Sequence, residues 1–118
     1  MSSKVLCYLR TLRLGWDLTQ EEVASLLPKG SRNRVGDVEK GLTPPNAEEI
    51  VAYPLIFGLP AKDIFPGYCA EVEDAVMRGA YELHRKAEAD TSPSAGRKRK
   101  LAEEMLARAT QRANAHGV

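Results

Sequence analysis

Residues 9–41, LRTLRLGWDLTQEEVASLLPKGSRNRVGDVEKG, constrain the fold more than any other stretch. They hold three short amphipathic segments, each with its own start and stop signals. Val5, Leu6, Leu9, Leu12 and Arg13 recur at helical spacing and predict a first helix over residues 4–14. Gly15 and Asp17 loosen the chain, and Asp tolerates a left-handed backbone better than most residues. Thr19-Gln20-Glu21-Glu22 fits a capping box and starts the second helix, with Val23, Leu26 and Leu27 as its buried stripe and the small Ala24 at a close crossing. Pro28-Lys29-Gly30 ends that helix and turns the chain. Ser31 caps a third helix in which Val35 and Val38 face inward and Arg32, Asn33, Gly36 and Asp37 face outward. Gly41 suits the position after its end, and Pro44-Pro45 forbid continuation.

The pattern continues. Asn46 to Glu49 repeat the capping logic for a fourth helix carrying Ile50, Val51, Leu55 and Ile56. Pro54 lies inside it, where a regular helix loses roughly 3 kcal/mol, so a kink or break is expected. Residues 60–65 form a short fifth helix stopped by Pro66-Gly67. A long helix over residues 69–87 then carries Val72, Val76, Ala80, Leu83 and Ala87 on one face, with Ala75 and Gly79 beside them. Residues 90–96, DTSPSAG, read as a linker. The run Arg97-Lys98-Arg99-Lys100 opens a last helix over residues 98–113, with Leu101, Met105, Leu106 and Ala109 as a thin apolar stripe. The chain is therefore expected to be all-α: a helical domain over residues 1–67 and a C-terminal helical extension over 68–118.

The 118 residues suit one domain with an appendage, and 43% hydrophobic but only 6% aromatic residues favour helices packed through Leu, Val and Ala. Net charge is +1, but unevenly spread: residues 1–68 hold eight basic and eight acidic side chains, residues 69–90 three and six, and residues 91–118 six and two. A neutral front half argues against bulk polycation binding and leaves room for local positive contacts. No apolar run approaches the ~20 residues of a membrane span, and the N-terminus lacks a basic region followed by an apolar signal core, so a cytoplasmic location is expected. Cys7 and Cys69 are expected to be reduced thiols packed as small hydrophobes.

The start of the third helix carries the most informative chemistry. Arg can bond guanine O6 and N7 together and Asn can bond adenine N6 and N7, discriminating by ~1–3 kcal/mol. Helix N-termini also offer backbone N–H groups to phosphates. Double-stranded DNA is the partner these residue types suit, against the blander reading of solvated capping neighbours. By contrast, His84 and His116 are isolated, and no carboxylate pair, Ser–His–Asp set, metal-ligand cluster or Gly-rich phosphate loop assembles around them. No enzyme, metal or cofactor is expected.

Residues 9–65 resemble the XRE family, the Cro/phage-repressor type of helix-turn-helix domain. The matching pieces are Leu9-Arg10-x-Leu12-Arg13, Leu18-Thr19-Gln20-Glu21-Glu22-Val23-Ala24, Val35-x-x-Val38-Glu39-Lys40-Gly41 and Gly58-Leu59-Pro60-x-x-Asp63-Ile64-Phe65. The resemblance implies five helices, the second lying across the DNA backbone and the third entering the major groove. It also implies base contacts from Arg32 and Asn33, with Arg34 and Asp37 as further readers. Asp37 would accept from cytosine N4 or orient Arg34. Gln20 would contact phosphate and brace the first groove-facing side chain. Thr19 is a cap first and a phosphate ligand second, and Ser31, Lys40 and Thr43 join the phosphate contacts. Lys29, in the turn, faces either the backbone or water. Arg13 and Glu39 would form a structural ion pair between the first and third helices. Two features depart from the family pattern: the turn is one residue longer, which shifts the register of readers, and Pro54 is unusual in the fourth helix.

The function expected from these residues is a sequence-specific transcriptional regulator, a repressor of the kind found in phages and mobile elements, binding an inverted-repeat operator as a homodimer. The stripe Val72, Val76, Ala80 and Leu83 packs either on its own domain or on a twin helix, and dimerisation is the expected use. The basic run is a solvated face, a contact to a neighbouring subunit's Glu71-Glu73-Asp74 or a source of non-specific phosphate contacts, with the first two preferred. The alternative function is a protein-interaction module, antitoxin-like or antagonist, reusing the same fold and binding a partner protein through residues 69–118.

Overall fold

The computed structural model describes residues 6–116, and among these the chain is helical with no strand. Seven helices follow in order: α1 Leu9–Gly15, α2 Gln20–Leu26, α3 Arg32–Glu39, α4 Ala47–Phe57, α5 Ala61–Ile64, α6 Pro66–Glu88 and α7 Pro93–His116. They divide between two compact units, Met1–Glu71 and Val72–Val118.

In the first unit most helices are too short to hold in isolation, so tertiary packing stabilises them. The shared core is Leu9 of α1, Val23, Ala24 and Leu27 at α2, Val35 and Val38 of α3, Tyr53 of α4, and Ile64 and Phe65 at the end of α5. Tyr53, absent from the expected stripe, is its largest member, stacked on Phe57 at 6.3 Å and edge-on to Phe65 at 5.7 Å.

The start signals act as their chemistry demands. Thr19 Oγ1 accepts from the Glu22 N–H at 3.0 Å while Glu22 Oε1 accepts from the Thr19 N–H at 2.9 Å. Asn46 and Glu49 repeat the exchange at 2.9 and 2.7 Å. Asp17 has φ 57° and Gly41 φ 72°, both left-handed.

Several boundaries move. The first helix begins at Leu9; of its expected first turn, Lys4 and Val5 lie outside the described residues, and Leu6 and Tyr8 are paired elsewhere. The Leu6 carbonyl accepts from Gly67 N–H at 3.0 Å, and Tyr8 N–H donates to the Ile64 carbonyl at 2.9 Å, so the chain enters as a strap along the α5–α6 junction. α4 runs unbroken through Pro54, which forfeits the bond to the Ile50 carbonyl, and Gly58, at φ 69°, closes the end on the Pro54 carbonyl. Leu26 is 54% exposed rather than buried and joins Val51 and Leu55 along an apolar groove between α2 and α4.

Pro66, read as a stop, and Pro93, read as part of the linker, both prove to be starts. Pro66 is the first residue of α6 and Pro93 the first of α7, the position where a fixed φ and a missing N–H cost nothing. The linker expected over residues 90–96 therefore shrinks to residues 89–92, where the Asp90 carboxylate accepts from Ser92 N–H at 2.8 Å. The basic run sits one turn inside α7.

The second unit is a helical hairpin. With so short a connection α6 and α7 turn back on each other, and His84 Nε2 meets Glu103 Oε1 at 3.0 Å across them. Its buried residues are Ala80 and Ala87 on α6 and Ala95 and Ala102 on α7, seven apart on each helix. This corrects part of the expected dimerisation stripe. Ala80 is only 3% exposed and offers no face to a second chain, while Leu83 is half-buried. Val72 and Val76 remain open, at 43% and 46%.

Candidate nucleic-acid interface

The connection from α2 to α3 decides what the third helix presents. Leu27 leaves α2 extended, Lys29 takes a left-handed φ of 52°, and Gly30 folds back against the helix it has just left. A Cβ on Gly30 would lie 2.2 Å from the Ala24 carbonyl oxygen, so no side chain fits there. Ser31 then caps α3, its Oγ accepting from Arg34 N–H at 3.1 Å. Arg32 and Asn33 are thus the first two residues of α3. Both are exposed, and among the described residues neither has a hydrogen-bond or ion-pair partner.

Arg32 shares an open cleft with Thr19, Gln20, Asp17 and Glu21, so the N-termini of α2 and α3 open onto one surface. Two carboxylates stand in that cleft. The cleft therefore offers directed donors rather than a net positive charge.

Behind this surface lies a buried polar chain. Arg13 donates from Nε to Glu39 Oε2 and from Nη2 to Oε1 at 3.1 Å, and from Nη1 to the Leu18 carbonyl at 2.9 Å. The Glu39 carboxylate holds the Arg13 guanidinium above its ordinary range. The expected Arg13–Glu39 pair is present, with side chains 9% and 2% exposed. Gln20 Nε2 also donates to Glu39 Oε1, at 3.1 Å. The brace expected from Gln20 to the first groove-facing side chain is redirected: its amide nitrogen points to the base of α3. Gly36 beneath it is buried, not outward-facing, and a Cβ there would stand 3.4 Å from Gln20 Nε2, an ordinary contact.

Arg34 is the main correction to the expected base readers. Its guanidinium donates from Nε to Glu49 Oε2 at 3.0 Å, from Nη2 to Glu49 Oε1 at 2.7 Å and to the Pro44 carbonyl at 2.9 Å, and from Nη1 to Thr43 Oγ1 at 3.2 Å. With its donors engaged, Arg34 ties α3 to α4 and to the loop before it. Glu49 holds its guanidinium above the ordinary range. Thr43 Oγ1 accepts in this tie, which leaves its hydroxyl proton available to donate. Asp37 is exposed and does not orient Arg34: its hydrogen bond is a backbone one, its carbonyl accepting from Leu42 N–H at 3.0 Å. Lys29 and Lys40 are exposed, at the two ends of the α3 region. Glu49 was legible only as half of a capping box; nothing in the sequence marks its second role.

Donors and acceptors make up this site, and among the described residues no group of His, Cys, Asp or Glu is placed to hold a metal ion. Cys7 and Cys69 are half-buried thiols against the core, and burial pushes the Cys7 thiol up, away from a reactive thiolate. No described helix is long and apolar enough to cross a membrane. No protein-family model, curated protein or solved structure matches the chain.

Proposed function

We propose that this protein is a sequence-specific DNA-binding regulator of the helix-turn-helix type, a repressor that sits as two copies on inverted half-sites. The observation that carries this reading is the division of labour along α3. Arg34 and Glu39 are engaged internally, which fixes the helix on its domain, while Arg32 and Asn33 stand exposed and unpartnered at its leading end among the described residues.

In this reading Arg32 and Asn33 meet base edges in the major groove. Thr19 and Gln20, at the start of α2, lie beside Arg32 and take phosphates, with Lys29 and Lys40 as outlying cations. Thr43 and Arg34 act one step back, holding the helix at its angle. Contact between copies falls to Val72 and Val76.

Selection from a random duplex pool tests this reading. An enriched inverted-repeat motif supports it. A pool that stays random after repeated rounds at moderate salt overturns it.

A further inference from the structure

Among the described residues, four of the seven acidic side chains of the second unit have a side-chain partner, whereas of its nine lysines and arginines only Arg85 has one. Glu82 holds Arg85 at 2.7 Å. Glu88 and Glu103 flank the two ring nitrogens of His84 at 2.9 and 3.0 Å, and Asp90 accepts from the Ser92 N–H. On α7, by contrast, Arg97, Lys98, Arg99, Lys100, Arg108 and Arg112 are all exposed, and among the described residues none has an ion-pair partner.

Their placement is not even. At about 100° per residue, Arg97, Arg108 and Arg112 fall within about 60° of one another, and Lys100 lies about 60° to the other side of Arg97. This arc is opposite the face of Ala95 and Ala102, so it looks away from the hairpin seam. Glu104 is the one acidic side chain within it. From Arg97 to Arg112 the arc runs about 22 Å along the helix. A duplex carries one charge per ~1.7 Å of axis, so each of the four cations can face a phosphate over that length.

We propose that this arc of α7 is a second, sequence-independent contact to the sugar-phosphate backbone of DNA. It takes its ligand from the DNA-binding reading and supplies what α3 lacks: the first unit is charge-balanced, with two carboxylates in its cleft, whereas α7 offers several uncompensated charges on one face. The arc adds affinity and salt dependence; α3 adds choice of sequence.

The test uses the full chain and a random-sequence duplex. One variant, Arg97→Gln, Lys100→Gln, Arg108→Gln and Arg112→Gln, removes the arc while keeping good helix formers. A second variant replaces the same four residues by Lys, except Lys100, which stays. A third removes four charges elsewhere, Lys62→Gln, Arg78→Gln, Lys86→Gln and Lys98→Gln. The Gln arc variant should bind at least about tenfold more weakly, with its log–log salt slope reduced by about 0.9 for each phosphate no longer neutralised. The charge-keeping variant should bind like the natural chain, and the third should weaken by at most about threefold. Binding unchanged in the arc variant, equal weakening in the arc and third variants, or no binding of random duplex by the natural chain would each overturn the proposal. So would a change of oligomeric state with DNA binding intact, which would assign the arc to an acidic surface on a second copy. Should the arc variant fail to fold, Arg108→Gln alone decides by its salt slope. The two readings fail separately: an Arg32→Ala variant with unaltered base preference would sink the α3 reading and leave this one standing.

Discussion

Arg34 and Glu49 form a two-bond pair, 3.0 Å from Nε and 2.7 Å from Nη2, that locks α3 to the first turn of α4. The same carboxylate closes the α4 capping box through the Asn46 N–H. One side chain therefore sets both where α4 starts and how α3 is held against it. Lys cannot reproduce the planar fork. Arg34→Lys is expected to lower stability by about 1–2 kcal/mol in urea unfolding, discounted because the Arg34 side chain is 31% exposed, and to leave base preference unchanged. A variant of full stability with a new preferred base would place Arg34 at the DNA instead.

The Arg13–Glu39 pair is more deeply buried, and removing one partner strands the other. Arg13→Ala should cost about 3–5 kcal/mol, whereas the double replacement Arg13→Met, Glu39→Leu should recover most of that loss. Equilibrium unfolding of the two variants checks it, and equal destabilisation by both would show that the polar chain through Gln20 matters more than the ion pair.

Tyr53 Oη is buried, and among the described residues it has no hydrogen-bond partner. Tyr53→Phe is therefore expected to leave stability unchanged or raise it. Burial pushes both the Tyr53 phenol and the Cys7 thiol up from their ordinary values of 10.0 and 9.0. For such groups the folded state binds the proton more tightly than the unfolded state. Their contribution is complete below the unfolded values and is lost as pH rises toward the folded ones. Thermal or urea unfolding should show stability falling above about pH 9, with a shallower fall in Cys7→Ala, Tyr53→Phe than in the natural chain.

The α1–α4 frame was legible because its signals are local. Capping boxes at Thr19 and Asn46, the Ser31 cap and the left-handed Asp17 and Gly41 each act within a few residues of sequence. What escaped was set by distant partners. Arg34 looks like a reader from its place in α3, and only the packing of α4 fifteen residues away brings Glu49 to it. Gly36 looks outward by phase until Gln20 folds over it, and Gly30 is required by the Ala24 carbonyl rather than by its own φ. Pro66 and Pro93 were ambiguous in kind, since a proline can end one helix or begin the next, and only the surrounding chain decides. At the candidate surface, the exposure of Arg32 and Asn33 follows from the short Ser31 cap, whereas the carboxylates beside Arg32 come from the way α1 meets α2.

The most direct test is the affinity of Arg32→Ala for the selected site and for every single base-pair change within it. A loss of about 1–3 kcal/mol is expected, confined to one base pair of each half-site, with discrimination at that pair abolished and preserved elsewhere. Uniform weakening across all sequences, with discrimination intact at every position, would contradict it.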